Sequence, residues 1–216
     1  MSYQYDIIKT YFGGFMKKFF TVFFAVLFCG IFLSCESTKV ERVSADTQTD
    51  LSGYWNDTDV RIVAQDLTNQ LINADWYTNF IKENQKKPVV IVGTFRNKSD
   101  EHMDTTIISK KLEFSLINTG KVTSVANASE RQEIRDERDD QQINSSLETA
   151  KNLGSEIAAD FMLQGDVKTI VDSNGKTTTR TYYVSAELVD LEKNTKIWLG
   201  ENSSIKKIIT RSSAKF

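Results

Sequence analysis

The sequence is poor in the residues that most often carry site chemistry. It has one histidine, one proline and two cysteines, Cys29 and Cys35, both before residue 36. Everything after Cys35 therefore has no thiol, which excludes disulfides, cysteine nucleophiles and Cys-ligated metal from the main domain. The lone Pro88 excludes a Pro-rich spacer. No Gly-rich phosphate loop, HExxH pattern or GxSxG elbow occurs. The stretch NDTDVRI lacks the central glycine and terminal glutamate of a Ca²⁺ loop. His102 lies in a polar loop and reads as a solvated side chain. With 27 basic and 29 acidic residues, net −2, and no basic block, nothing favours nucleic acid. No cofactor, metal, small-molecule substrate or catalysis is expected.

What the sequence does have begins with MKKFFTVFFAVLFCGIFLSC at 16–35. Two lysines precede about sixteen apolar residues, which end at the small Ser34 before Cys35. That is the layout of a secretory signal. It also resembles the lipobox of bacterial lipoproteins, which implies that Cys35 is acylated and becomes the first mature residue. An uncleaved membrane anchor is the other reading. Residues 1–15 read as an upstream extension, with Met16 as the natural start. Residues 36–50, ESTKVERVSADTQTD, are polar and aperiodic and read as a flexible tether. Fifteen residues reach at most roughly 50 Å. Residues 1–35 hold three lysines and one aspartate, so the mature chain has 24 basic and 28 acidic residues, net −4. A globular domain is expected over 51–216.

LSGYWNDTDVRIVAQDL opens that domain. Gly53 turns the chain and Asn56 caps a helix, with Asp57 and Asp59 in its first turn. Trp55 and Val60 occupy the two positions of a hydrophobic staple. Val60, Val63, Ala64, Leu67, Leu71 and Ala74 continue the helix toward Phe80. PVVIVGTF (88–95) reads as a strand buried on both faces. A polar loop follows, then a helix within 104–120 ending at Gly120, then the short strand KVTSVA. A capping box at Ser129 and Gln132 predicts a helix over 129–142. A second box, Ser145 and Glu148, predicts another over 145–160, with a ridge of Ala150, Gly154 and Ala158. Three strands close the chain: FMLQGDVKTIVD, TTTRTYYVSAELVDLE and KIWLGENSSIKKIIT. Asn174-Gly175 marks the hairpin between the first two. The expected fold class is α+β, a small mixed β-sheet packed by about four helices.

In 129–142, Arg131, Arg135 and Arg138 fall on one stripe, with Glu133, Asp136, Glu137 and Asp140 opposite. Such like-charged neighbours weaken a free helix, so the arginines are expected to meet carboxylates, either in this domain or on a partner. A mobile solvated flap is the bland alternative.

Four segments together resemble the LpoB-type lipoprotein activators of penicillin-binding proteins. They are SGYWNDTDVRIVAQDL (52–67), PVVIVGTFRNKSDEHMDT (88–105), LGSEIAADFMLQGDV (153–167) and KIWLGENSSIKKI (196–208). The resemblance implies a fold like the TolB N-terminal domain and the periplasmic core of CsgG. It further implies a non-enzymatic role: binding a class A bifunctional penicillin-binding protein and stimulating peptidoglycan synthesis. The expected location is the periplasmic side of the envelope on a lipid anchor, the outer membrane before the inner. Well-known members carry a long Pro-rich tether, and this chain departs from them there. Candidate partner contacts are Arg131, Arg135 and Arg138 on the charged helix, and Arg96, Asn97 and Lys98 in the loop that runs to His102. Tyr182 and Tyr183 are weaker candidates, since neighbours on a strand face opposite ways. The alternatives are a subunit of a CsgG-like secretion assembly or a general envelope protein-binding module. Against the first, Lys168, Asp172, Lys176 and Arg180 interrupt the hairpin.

Overall fold

The computed structural model describes residues 39–44, 47–144 and 156–212. The chain divides between Ala45 and Asp46, and the fold belongs to the second unit, Asp46–Phe216. Its described residues form an α+β domain of four helices and a six-stranded mixed sheet. Among the described residues no helix is long and apolar enough to cross a membrane.

Helix α1 spans Asp57–Ile72. Asn56 Oδ1 accepts from Asp59 N at 3.2 Å, and Asp59 Oδ2 accepts from Asn56 N at 3.0 Å. Two of the N–H groups that a helix start leaves unpaired are thus satisfied. The apolar stripe Val60, Val63, Ala64, Leu67 and Leu71 is buried as its spacing predicts. The helix does not continue toward Phe80. Ala74 takes an extended conformation, and a second helix, α2, restarts at Asp75–Asn84. The break lets the chain fold back: the buried Trp76 donates its indole N–H to Leu71 O at 2.8 Å. Its ring meets Phe161 edge-on at 5.4 Å. A tertiary contact here overrides helical periodicity.

Strand β1 is Val89–Asn97, α3 is Thr106–Asn118, β2 is Thr123–Ser124 and α4 is Ala128–Asn144. Strands β3 (Phe161–Ser173), β4 (Thr177–Asp190), β5 (Thr195–Asn202) and β6 (Lys206–Thr210) follow. The sheet order is β2-β1-β3-β4-β5, with β1 parallel to β2 and β3 and the remaining pairs antiparallel. Strand β6 also pairs with β4, beyond β5. The expected single final strand is therefore two, running along one edge of β4 and interrupted at Ser203–Ile205. There the buried Asn202 turns its amide to Asp66 Oδ2 at 2.7 Å, and Ile205 enters the core.

Alternate residues of β4, from Thr178 to Leu188, are buried on the face that α1 and α3 cover. In β1 the buried Val90 and Val92 are followed on that face by Phe95, because a bulge shifts the register between Val92 and Phe95. The Phe95 ring fits above Gly165 of β3, where an added Cβ would lie 2.5 Å from Phe95 Cε1.

Two other expectations are corrected. The box that caps α4 is Asn127 with Glu130, not Ser129 with Gln132. Asn127 Oδ1 accepts from Glu130 N at 3.2 Å, and Glu130 Oε2 accepts from Asn127 N at 2.9 Å. Of the helix expected over 145–160, residues 145–155 lie outside the described residues, and Glu156–Ala159 carry no regular structure. Asp160 is instead drawn into extended pairing: its Oδ2 accepts from Val89 N, and its own N–H donates to Val89 O, both at 2.8 Å.

Candidate functional site

A groove of about 600 Å³ runs between β1, β3 and the N-terminal turns of α3 and α4. The outer edge of β1 forms one wall. Its carbonyls are covered by hydroxyls of and beside α3: Ser109 Oγ donates to Gly93 O at 3.1 Å, and Thr105 Oγ1 donates to Phe95 O. This covering replaces the neighbour that the two-residue β2 is too short to supply. Ile91, Met162 and Ala128 supply apolar lining. Arg96 of β1 and Arg131 of α4 line the same groove although 35 residues apart. Among the described residues the Arg131 side chain donates one bond, from Nη1 to Ala126 O at 3.0 Å. The exposed Arg96 makes no ion pair among the described residues. Lys110 on the rim is engaged by Glu113 at 2.8 Å and by Glu130. The hydrogen bonds it donates to those two carboxylates hold its ammonium well above the usual lysine range. The cationic character of the groove therefore comes from the two arginines.

The six predicted contact residues separate into four groups. Arg96 and Arg131 share the groove. Asn97 is structural: its Nδ2 donates to Glu101 O at 2.7 Å, and its Oδ1 accepts from Ser99 N at 2.9 Å, closing the turn after β1. Lys98 reaches the uncovered side of the sheet and pairs with Asp166 at 2.8 Å. Burial pushes the Asp166 carboxyl up, but Lys98 and Lys168 outweigh that and hold it below its ordinary value. Arg135 and Arg138 turn to Glu156. Arg135 makes a bidentate pair at 2.8 and 2.7 Å, and Arg138 Nη1 stands 3.8 Å away. Two of the three stripe arginines thus find a carboxylate inside the domain, the first of the two expected possibilities, whereas Arg131 turns to Ala126 O. Cys35 lies outside the described residues.

A second arrangement escaped the sequence reading. Glu101, Arg180, Tyr182, Asp59 and Lys207 form a largely buried polar network beneath the entering strap Asp50–Trp55. Arg180 Nη1 meets Asp100 Oδ1 and Glu101 Oε1, each at 2.6 Å. Burial pulls the guanidinium pKa down, but the Asp100 hydrogen bond and the Glu101 charge more than offset it. Lys207 Nζ bridges Asp59 at 2.7 Å and Asp50 at 2.9 Å, and donates to Tyr54 O at 2.8 Å. Trp55 lies over Tyr182 at 5.2 Å and donates its backbone N–H to Glu101 Oε2 at 3.0 Å. Tyr182 is core, while Tyr183 is half-buried on the opposite face. Local patterns are silent about partners 80 and 148 residues apart. One signal was present: Arg180 keeps step with the inward positions Thr178, Tyr182 and Val184, and an inward arginine needs a carboxylate.

Among the described residues no group of three His, Cys, Asp or Glu side chains could hold a metal ion. The class these features define is an α+β domain with helices on one face of a mixed sheet and a cationic groove at its edge. Residues 59–204 match the family model described as "Peptidoglycan-synthase activator LpoB", and the chain belongs to that family. Among solved structures, the LpoB C-terminal domain from Salmonella enterica is 17% identical, covering 71% of this chain and 99% of that one, with a TM-score of 0.39. The Escherichia coli LpoB C-terminal domain is 15% identical with the same coverage and a TM-score of 0.41. A solution structure of E. coli LpoB is 14% identical, covering 83% of this chain and 86% of that one, at 0.40. A search of curated proteins found no match.

Proposed function

We propose that this chain is a lipid-anchored envelope protein that binds a class A bifunctional penicillin-binding protein and stimulates its synthesis of peptidoglycan. Membership of the peptidoglycan-synthase activator family supports the general role. The observation that carries the docking site is the convergence of Arg96 and Arg131 on one groove with apolar lining. Two guanidinium groups with few partners across such a groove suit a surface segment that offers carboxylates between apolar side chains. Arg135 and Arg138 form a second contact zone. Their pairing with Glu156 is solvent-exposed and contributes little, so a partner's carboxylate can exchange with Glu156 at small cost.

The mechanism is a population shift. An activator that prefers the working conformation of its enzyme raises the occupancy of that conformation by its differential affinity and needs no chemistry of its own. Acylation at Cys35, with the head facing the periplasm and the outer membrane favoured over the inner, would hold the head near its target. Crosslinking in cells followed by identification of the captured protein tests the reading. Recovery of a bifunctional synthase supports it. Consistent capture of a different envelope complex instead contradicts it.

A further inference from the structure

Helix α3 is apolar on two sides. Ile108, Leu112 and Leu116 are fully buried against the core. On the outward side Ile107, Phe114 and Ile117 are 56%, 60% and 52% exposed. Their spacing of seven and then three residues puts them on one stripe about 15 Å long. Two lysines lie along it. Lys110 is outweighed by its two carboxylate partners, Glu113 and Glu130. Lys111 makes no ion pair among the described residues, and its ammonium lies 5.3 Å from the Phe114 ring centre. Large apolar residues with a lysine that can reach past them are the makings of a helix that lies in a lipid interface.

The chain itself says which surface is near. Lys207 holds the strap at Asp50 and Tyr54, so the tether's free length ends there. Glu101, which takes the Trp55 N–H, is only six residues before Ile107 at the start of α3. Cys35 is fifteen residues before Asp50, a reach of roughly 50 Å at full stretch. A head on so short a leash meets its own bilayer at high effective concentration, so a weak contact is enough to seat it.

We infer that the Ile107–Phe114–Ile117 face of α3 docks on the anionic bilayer that carries the anchor, with Lys111 at the headgroups. This rests on the reading that the chain is anchored at Cys35. Docking would hold the head flat beside the membrane, with a fixed face toward the partner.

The test uses the full processed chain in vesicles of phosphatidylcholine and phosphatidylglycerol containing brominated lipid. Phe114→Trp adds an emitter on the face, and Ile134→Trp adds one on α4 as control. Thermal melting of each variant verifies the fold. We expect the emission added by Phe114→Trp to be quenched roughly twofold, that added by Ile134→Trp to be unaffected, and Lys111→Glu to relieve the quenching. Chain that floats with the vesicles without selective quenching at position 114 overturns the docking and leaves the anchor standing. Chain that does not float overturns the anchor, and the docking with it. Emission at position 114 that responds to added synthase rather than to lipid assigns the face to a protein, also against the inference.

Discussion

Arg180 Nη1 lies 2.6 Å from Glu101 Oε1, with both side chains more than nine-tenths withdrawn from solvent, at 8% and 7% exposure. The same carboxylate accepts the hydroxyl of Tyr182 and the backbone N–H of Trp55. One buried glutamate therefore joins β4, the loop after β1 and the strap that carries the tether. Removing one member of such a pair leaves the other charged and uncompensated. Glu101→Ala is expected to destabilise the domain by about 3–5 kcal/mol, read as a lowered denaturant midpoint. Adding Arg180→Met should recover much of that loss.

The seat of Phe95 on Gly165 gives a paired expectation. A Cβ at Gly165 would lie 2.2 Å from Ser185 O, a backbone atom that cannot swing away. Gly165→Ala should cost at least about 1–3 kcal/mol through overpacking. At Gly120 nothing lies within 4 Å of an added Cβ, and only the φ of +65° opposes it. Gly120→Ala should cost about 1–2 kcal/mol. The two melting temperatures, measured together, check both the ordering and the close β3–β4 approach.

Stability should fall in acid. The Lys207 hydrogen bond, with help from Gln48 and Asn56, holds Asp50 down from 3.8 to about 2. Asp100, held chiefly by Thr169, and Glu187, held chiefly by Lys196, are also lowered. Depressed carboxylates stabilise the fold above their unfolded pKa values, and that contribution is lost as pH falls through the folded ones. Asp59 opposes this, because burial raises it despite the Lys207 bond, but it is one group against several. The melting temperature should be level above about pH 5 and should decline between about pH 4 and pH 2. Asp50→Asn should flatten the lowest part of the decline.

Helix α4 has no buried residue. Like charges recur along its outer side, and among the described residues Arg135 and Arg138 pair with Glu156 alone. Its amides should exchange hydrogen faster than those of α1 and α3, since few buried contacts resist local opening. Glu156→Gln should speed that exchange further, without altering exchange in α1. Equal protection in all three helices would contradict this account of α4.

Much of this architecture was legible because it is local. Asn56, Asp59 and the Val60–Leu71 stripe encode α1 within sixteen residues, and Asn174-Gly175 encodes the hairpin. The break at Ala74 was not legible, because its cause is Trp76 packing on Phe161, 85 residues on. Asn127-Glu130 and Ser129-Gln132 both satisfy the capping-box pattern of α4, and the first forms, with Glu130 also held by Lys110 from α3. Of the candidate contacts, the arginine stripe was visible by periodicity, but its Glu156 partner lies outside the helix. The groove itself arises from a sheet edge and two helix starts, which no local pattern brings together.

The proposed function has the head activate a peptidoglycan synthase by docking through the Arg96–Arg131 groove. It is tested most directly by the glycan polymerisation rate of a purified class A bifunctional synthase titrated with the full chain. The account predicts a saturable rise with the native chain. It predicts loss of most of that rise with Arg96→Glu and Arg131→Glu combined, at unchanged melting temperature, and near-native stimulation with Lys98→Glu. A synthase rate indifferent to the native chain, or equally stimulated by the doubly substituted one, would contradict it.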